Sequence, residues 1–238
     1  MKRNVHPGHS AGDSVCETAV ETTTRESLIG QPGKFFRFPQ ALVALQEKIL
    51  PEVHSRWLTE SRTNLRIWSA GYGRGEEAYS IAIALCEAQV AASWRIDIIG
   101  SDIRSETLAH AERGLYDAQA VADLPPTLVQ KYFVRIGNEF LVKPRLRNLV
   151  RFSETNLADP AYIGRFDCIF CLDVLPHLPA AKRAVLLQRL HLFLEPGGYL
   201  LLAPGEVASS FDVVFRAVAS NGYTLFQKPM AKSARAGA

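Results

Sequence analysis

The chain has 238 residues, 47% of them hydrophobic and 21% charged, with a formal net charge of +3. That composition excludes a disordered, collagen-like or coiled-coil chain and suits one large α/β domain with a sizeable core. No apolar run approaches the ~20 residues of a membrane helix, and the opening MKRNVHPGHSAGDSV lacks the apolar stretch of a secretory signal. The four cysteines, Cys16, Cys86, Cys168 and Cys171, form no disulfide framework in a chain of this size, so a reduced cytoplasm is the expected compartment.

Residues 1–30 are rich in Gly, Ser, Thr and Pro with little periodicity and read as a flexible leader. From Pro39, Leu42, Leu45, Ile49, Leu50 and Val53 follow a helical spacing that Pro51 is expected to bend or end. Leu65–Ala70 is a short apolar strand that runs into the turn Gly71-Tyr72-Gly73-Arg74-Gly75, and a helix follows from Glu76 to about Ala91. Ile96–Gly100 is the next strand, ending at Ser101-Asp102, and a helix passes through Leu108–Ala111. Tyr132–Ile136 and Glu139–Lys143 read as two strands around Gly137-Asn138, with Arg145–Arg147 as a third. Together they form a small antiparallel insertion at about 131–148. Strand–helix alternation resumes with Val150–Phe152, Phe166–Cys171, the helix Ala180–Leu194 and the strand Tyr199–Leu202. Phe211–Lys228 closes the chain as a hairpin around Asn221-Gly222. Repeated βα units predict a mostly parallel, doubly wound, Rossmann-like sheet.

Between Lys131 and Arg151 lie six basic residues and one acid, a local charge of +5. Such a face steers an acidic partner, or is simply the solvated surface of a hairpin.

In a doubly wound sheet the ligand lies beyond the carboxyl ends of the strands. The strand–glycine turn–helix unit marks that place, since Gly71 and Gly73 let backbone approach a ligand. Asp102 ends the next strand, where a carboxylate can accept both hydroxyls of a ribose. Glu76 and Glu77 put negative charge where a pyrophosphate would sit. A positively charged adenosine ligand therefore fits better than a dinucleotide.

Phe35-Phe36-Arg37, Trp68-Ser69-Ala70, Gly75-Glu76-Glu77-Ala78-Tyr79-Ser80, Ser101-Asp102-Ile103 and Phe166–Cys171 resemble the chemotaxis receptor methyltransferase family (CheR). So do Gly114-Leu115-Tyr116, Lys131-Tyr132-Phe133, Asn156-Leu157 and Leu194-Glu195-Pro196-Gly197-Gly198. The resemblance runs from about Gln31 to the end, and the FFR and GEExYS motifs are its specific part. It implies a class I methyltransferase domain over 31–238 that transfers a methyl group from S-adenosylmethionine (SAM) to receptor glutamates, leaving S-adenosylhomocysteine. Carried across by position, its cofactor contacts fall on Arg37, Glu77, Asp102, Asn156, Leu157 and Asp173. Arg37 would hold the methionine carboxylate, Glu77 the α-ammonium, Asp102 the ribose, and Asn156 with the Leu157 backbone the adenine.

The chain departs from the family at five positions. Gln31 and Gly33 replace an Asn and a Thr. The family's strand-end Arg-Asn and following Tyr become Leu172, Asp173 and His177. The family's helical N-terminal domain has no match. The expected partner is an acidic helical protein such as a chemoreceptor, with no membrane insertion and no metal. DNA is not expected, because no Asn/Asp-Pro-Pro-aromatic run is present to receive a flipped base. Arg37 and His177 are the catalytic candidates. A small O- or N-nucleophile with His177 as base, and a non-catalytic SAM- or S-adenosylhomocysteine-binding sensor or scaffold, are the alternatives. Cys168 and Cys171 lie at an odd spacing within one strand and read as core.

Overall fold

A computed structural model describes residues 33–60, 62–71, 73–90, 93–157, 163–206 and 215–230. In chain order its elements are α1 (Pro39–Ala44), a π-helical turn (Leu45–Ile49), α2 (Leu50–Glu60), β1 (Asn64–Ala70), α3 (Glu76–Glu87) and β2 (Arg95–Asp102). Next come α4 (Ser105–Arg113), β3 (Leu115–Asp117), α5 (Pro126–Tyr132), β4 (Phe133–Ile136), β5 (Glu139–Val142), α6 (Pro144–Arg147) and β6 (Val150–Glu154). The chain then runs through β7 (Phe166–Cys171), a 3-10 turn (Leu175–His177), α7 (Ala180–Phe193), β8 (Leu194–Leu202), β9 (Arg216–Ser220) and β10 (Tyr223–Gln227).

Seven strands form one sheet in the order β6-β2-β1-β7-β8-β10-β9. The first five run parallel, and β10 pairs antiparallel with both β8 and β9. Strand order reverses between β1 and β7, the switch point where doubly wound sheets open a crevice. Both faces are covered, so the central strands are apolar on alternate sides. On β1, Leu65 and Ile67 join the core under α1, α2 and α3, while Trp68 and Ala70 face the opposite core with α7. On β7, Cys168 and Cys171 fall in these two different cores. Both thiols are pushed well above their usual range by burial, so they serve as packing.

One local expectation is narrowed and another corrected. Of the two outcomes expected at Pro51, a bend or an end, the end is excluded: Leu50 N–H bonds back to Leu45 O across a widened turn, and the helix runs on to Glu60. A π turn next to a proline takes up the missing donor without breaking the axis. Arg145–Arg147 is not a strand but part of the short helix α6, which Pro144 starts. The third strand of the small sheet is instead β3, giving the order β3-β5-β4. The leader expected over residues 1–30, Cys16, Gln31 and the start of the closing hairpin at Phe211 lie outside the described residues.

Gly75, at the junction of β1 and α3, has φ 99°, and a Cβ there would lie 2.7 Å from the Tyr116 hydroxyl and 2.8 Å from Ala111 Cβ. Gly75→Ala combines left-handed strain with overpacking. It should cost about 2 kcal/mol or more of stability, read as a lowered urea midpoint at unchanged m-value.

Candidate cofactor site

β1 delivers the chain to the glycine turn, and a cavity opens beside it, walled by Arg37, Ser69, Gly71, Gly73, Glu76 and Glu77. Gly100, Ser101, Phe152 and Leu172 line it further in. Four of the residues expected from sequence, Arg37, Gly71, Gly73 and Glu77, thus share one concave site. Asp102, Asn156, Leu157, Asp173 and His177 are not part of its wall.

Arg37 is delivered by an anchored segment. Phe35 is fully buried, edge-on to Tyr116 at 5.0 Å and Phe133 at 5.1 Å. Phe36 adopts φ 56°, and its N–H donates to Ser80 Oγ on α3 at 3.0 Å. The Arg37 guanidinium meets Asp173 Oδ2 at 2.5 Å. Asp173 is itself left-handed at φ 59°, and its Oδ1 lies 3.8 Å from His177 Nε2. Arg37, Asp173 and His177 therefore stand in one row of polar contacts at the carboxyl end of β7.

At the start of α3, Glu77 Oε1 accepts from Ser69 Oγ at 2.6 Å. Burial pushes the Glu77 carboxyl up to about 7, against the pull of the Ser69 hydroxyl and the Arg37 guanidinium; Glu206 and Glu76 push the same way as burial. Glu76 is also buried, which raises its carboxyl. A Cβ at Gly33 would collide with that carboxyl group, so Glu76 fills the space that a side chain at position 33 would need.

Asp102 is buried at the end of β2. Its Oδ1 accepts from Arg104 N–H at 2.8 Å and Nε at 3.0 Å, and its Oδ2 from Arg104 Nη2 at 3.0 Å. Asn156 is exposed and Leu157 buried just after β6, the strand that flanks β2. Arg74, within the glycine turn, donates to His110 Nδ1 at 2.8 Å. Burial and the Arg74 charge hold that imidazole neutral, with its pKa down to about 4.

Sequence reasoning missed Ser69 as the partner of Glu77, Arg104 as the partner of Asp102, and Glu206. A polar residue ending an apolar strand was the available signal for Ser69. Glu206 carries no such signal, because its partners are backbone groups of Asp173, Leu175 and Ala203. Among the described residues no three His, Cys, Asp or Glu side chains converge as a metal site. No helix there is long and apolar enough to cross a membrane.

The donor set fits an amino acid joined to a nucleoside. A cation and an anion stand on one cavity wall to take an α-carboxylate and an α-ammonium, beside glycines that leave room for backbone approach. The comparisons agree. The family model described as CheR methyltransferase, SAM binding domain, matches residues 31–224. Chemotaxis protein methyltransferase 1 of Pseudomonas aeruginosa is 34% identical over 197 residues, which are 79% of this chain and 68% of that protein. Chemotaxis protein methyltransferase Cher2 of Pseudomonas putida is 31% identical over 212 residues, covering 86% of this chain and 74% of the relative. An uncharacterized 104.1 kDa protein of Rhodobacter capsulatus is 29% identical over 191 residues, covering 79% of this chain but 20% of its own length. The chain belongs to the CheR methyltransferase family and, through that family's SAM-binding domain, is a SAM-dependent methyltransferase.

Proposed function

We propose that the chain methylates glutamate carboxylates of an acidic helical protein, of which a chemoreceptor is the leading example, and that it does so in the cytoplasm. Residues 31–238 form the catalytic domain, with a β-subdomain inserted at about 131–148. The observation that carries this reading is the opposed pair Arg37 and Glu77 on one cavity wall, beside Gly71 and Gly73. SAM supplies a methyl group on a sulfonium that leaves as a neutral thioether, and a glutamate acceptor is already ionised near neutral pH, so no acid or base is needed. The protein's part is alignment and exclusion of water, an effect worth roughly 7–11 kcal/mol in well-oriented reactions.

Arg37 exchanges Asp173 for the methionine carboxylate, and Glu77 accepts from the α-ammonium. Asp102 takes the ribose hydroxyls as Arg104, already partly exposed, turns outward. Asn156 and the Leu157 backbone address the adenine. The Asp173–His177 contact at 3.8 Å supports a second reading. A carboxylate that orients an imidazole is a general-base arrangement suited to a hydroxyl, phenol or amine acceptor.

Methyl-labelled SAM separates these readings. Incubated with a chemoreceptor cytoplasmic fragment, the protein should leave label that mild base releases as a volatile product. Base-stable label would transfer the assignment to a nitrogen or ether product, and His177→Ala should then abolish it. Tight S-adenosylhomocysteine binding without any transfer would indicate a sensor or scaffold.

Two binding measurements test the cofactor contacts. Glu77 must be ionised to accept from the ammonium, and in the free protein it protonates near pH 7. Binding below that pH therefore expels a proton, and affinity for S-adenosylhomocysteine should fall by up to about tenfold per unit as pH drops from 7. Glu77→Gln should weaken binding at pH 8 and flatten the profile. Asp102→Ala removes a charged acceptor of two hydroxyls, each bond worth roughly 1.5–3 kcal/mol. Calorimetry should show at least a tenfold weaker dissociation constant with the fold retained.

A further inference from the structure

The carboxylate of Glu206 connects two strand ends that carry the reaction site. Residues 203–206 form a tight turn just after β8, closed by Glu206 N–H on Ala203 O at 3.0 Å, with Gly205 at φ 88° after Pro204. Proline followed by a positive-φ glycine is the pattern of a type II turn. The turn directs the Glu206 side chain inward, where the residue is only 9% exposed. There Oε2 accepts from Ala203 N–H at 2.6 Å and from Asp173 N–H at 3.1 Å, while Oε1 accepts from Leu175 N–H at 3.1 Å.

The last two donors lie in the segment after β7. Asp173 is a non-glycine residue at φ 59°, a conformation that costs free energy and needs support from its surroundings. Leu175 starts the 3-10 turn that ends in His177, and its N–H has no partner within that turn. One buried anion satisfies both groups, with charge-assisted bonds stronger than neutral ones. Glu206 is absent from the cavity wall, so its effect on the site passes through the backbone it holds.

We propose that Glu206 is a positioning residue for methyl transfer: it fixes the left-handed Asp173 and the turn bearing His177, and so sets the wall against which the acceptor aligns. This rests on the proposed methyl-transfer function and places the acceptor beside the Asp173–His177 segment, at the carboxyl end of β7. Neither ligand needs to touch Glu206. Its loss should therefore slow transfer with little change in cofactor affinity.

The test compares Glu206→Gln and Glu206→Asp with the wild type in three measurements. These are labelled transfer to a chemoreceptor cytoplasmic fragment, calorimetry with S-adenosylhomocysteine, and NMR hydrogen exchange at the Asp173 and Leu175 amides. For Glu206→Gln we expect kcat to fall at least about tenfold, as a small misalignment does. The dissociation constant should stay within about threefold, well inside one decade of affinity, and both amides should lose protection. Glu206→Asp keeps the charge on a shorter stem and should recover part of the rate. Unchanged kcat in Glu206→Gln would overturn the proposal. So would a parallel fall of kcat, affinity and melting temperature in both variants, which marks a general loss of structure. If the wild type transfers no base-labile methyl, the glutamate reading fails by itself. Exchange then decides on Glu206, and amides that stay protected in Glu206→Gln overturn its role.

Discussion

A sheet covered on both faces leaves its central strands no room for unpaired polar groups, because burying one without a partner costs several kcal/mol. Polar side chains are therefore displaced to the strand ends, and the site forms there. β1 is apolar at Ile67 and Trp68 and turns polar at Ser69. β2 changes at Ser101 and Asp102, and β7 gives way to Asp173. These three ends lie side by side because β2, β1 and β7 are neighbours. The glycine turn and the Phe35–Arg37 segment then roof a position that the sheet has already chosen.

Much of this was legible in the sequence where the signal was local. β1, β2, β7 and α3 stand out because strands buried on both faces are continuous apolar runs, and Gly75 marks the turn between β1 and α3. Arg37 was found through one short motif, and Gly71, Gly73 and Glu77 through another, each spanning only a few residues. What escaped depended on distant partners. β3 has only three residues and pairs with β5, more than twenty positions away, so no periodicity announces it. Arg145–Arg147 alternates like a strand, yet Pro144 supplies the first residue of a helix and the small sheet is completed from elsewhere. Glu206 serves backbone groups in another loop, and no side-chain pattern reports a carboxylate whose partners are N–H groups 31 and 33 residues earlier.

The charged groups of the site are not left unpaired in the free protein. Arg37 holds Asp173, Arg104 holds Asp102, and Ser69 holds Glu77. Cofactor binding is on this reading an exchange of partners, so each contact contributes the difference between ligand and internal partner. Such pairing keeps the side chains ordered before the ligand arrives, which lowers the entropic cost of capture. It also makes the Phe35–Arg37 segment and the Asp173 turn respond to the same event, since Arg37 cannot take a new carboxylate without weakening its hold on Asp173.

The basic segment obeys the same economy. Lys143 caps the end of α5 through the carbonyls of Gln130 and Lys131, and Arg147 caps α4 through Glu112 O. Cations at helix C-termini satisfy orphan carbonyls and oppose the helix dipole. Lys131 pairs with Glu87, and Arg151 with Asp97, which Arg66 also contacts. Four of the six charges are thus committed to local contacts: Lys131 and Arg147 tie the insertion to α3 and α4, Lys143 bonds within it, and Arg151 links β6 to β2, a structural use that neither of the two sequence readings contained. Because these contacts are exposed, each contributes little alone, and the field of the segment still reaches solvent. A face whose cations are fixed in place presents a defined positive surface rather than a mobile cloud. Under the proposed function, such a surface acts on an acidic partner only once their charges come within the screening distance of about 8 Å at physiological salt.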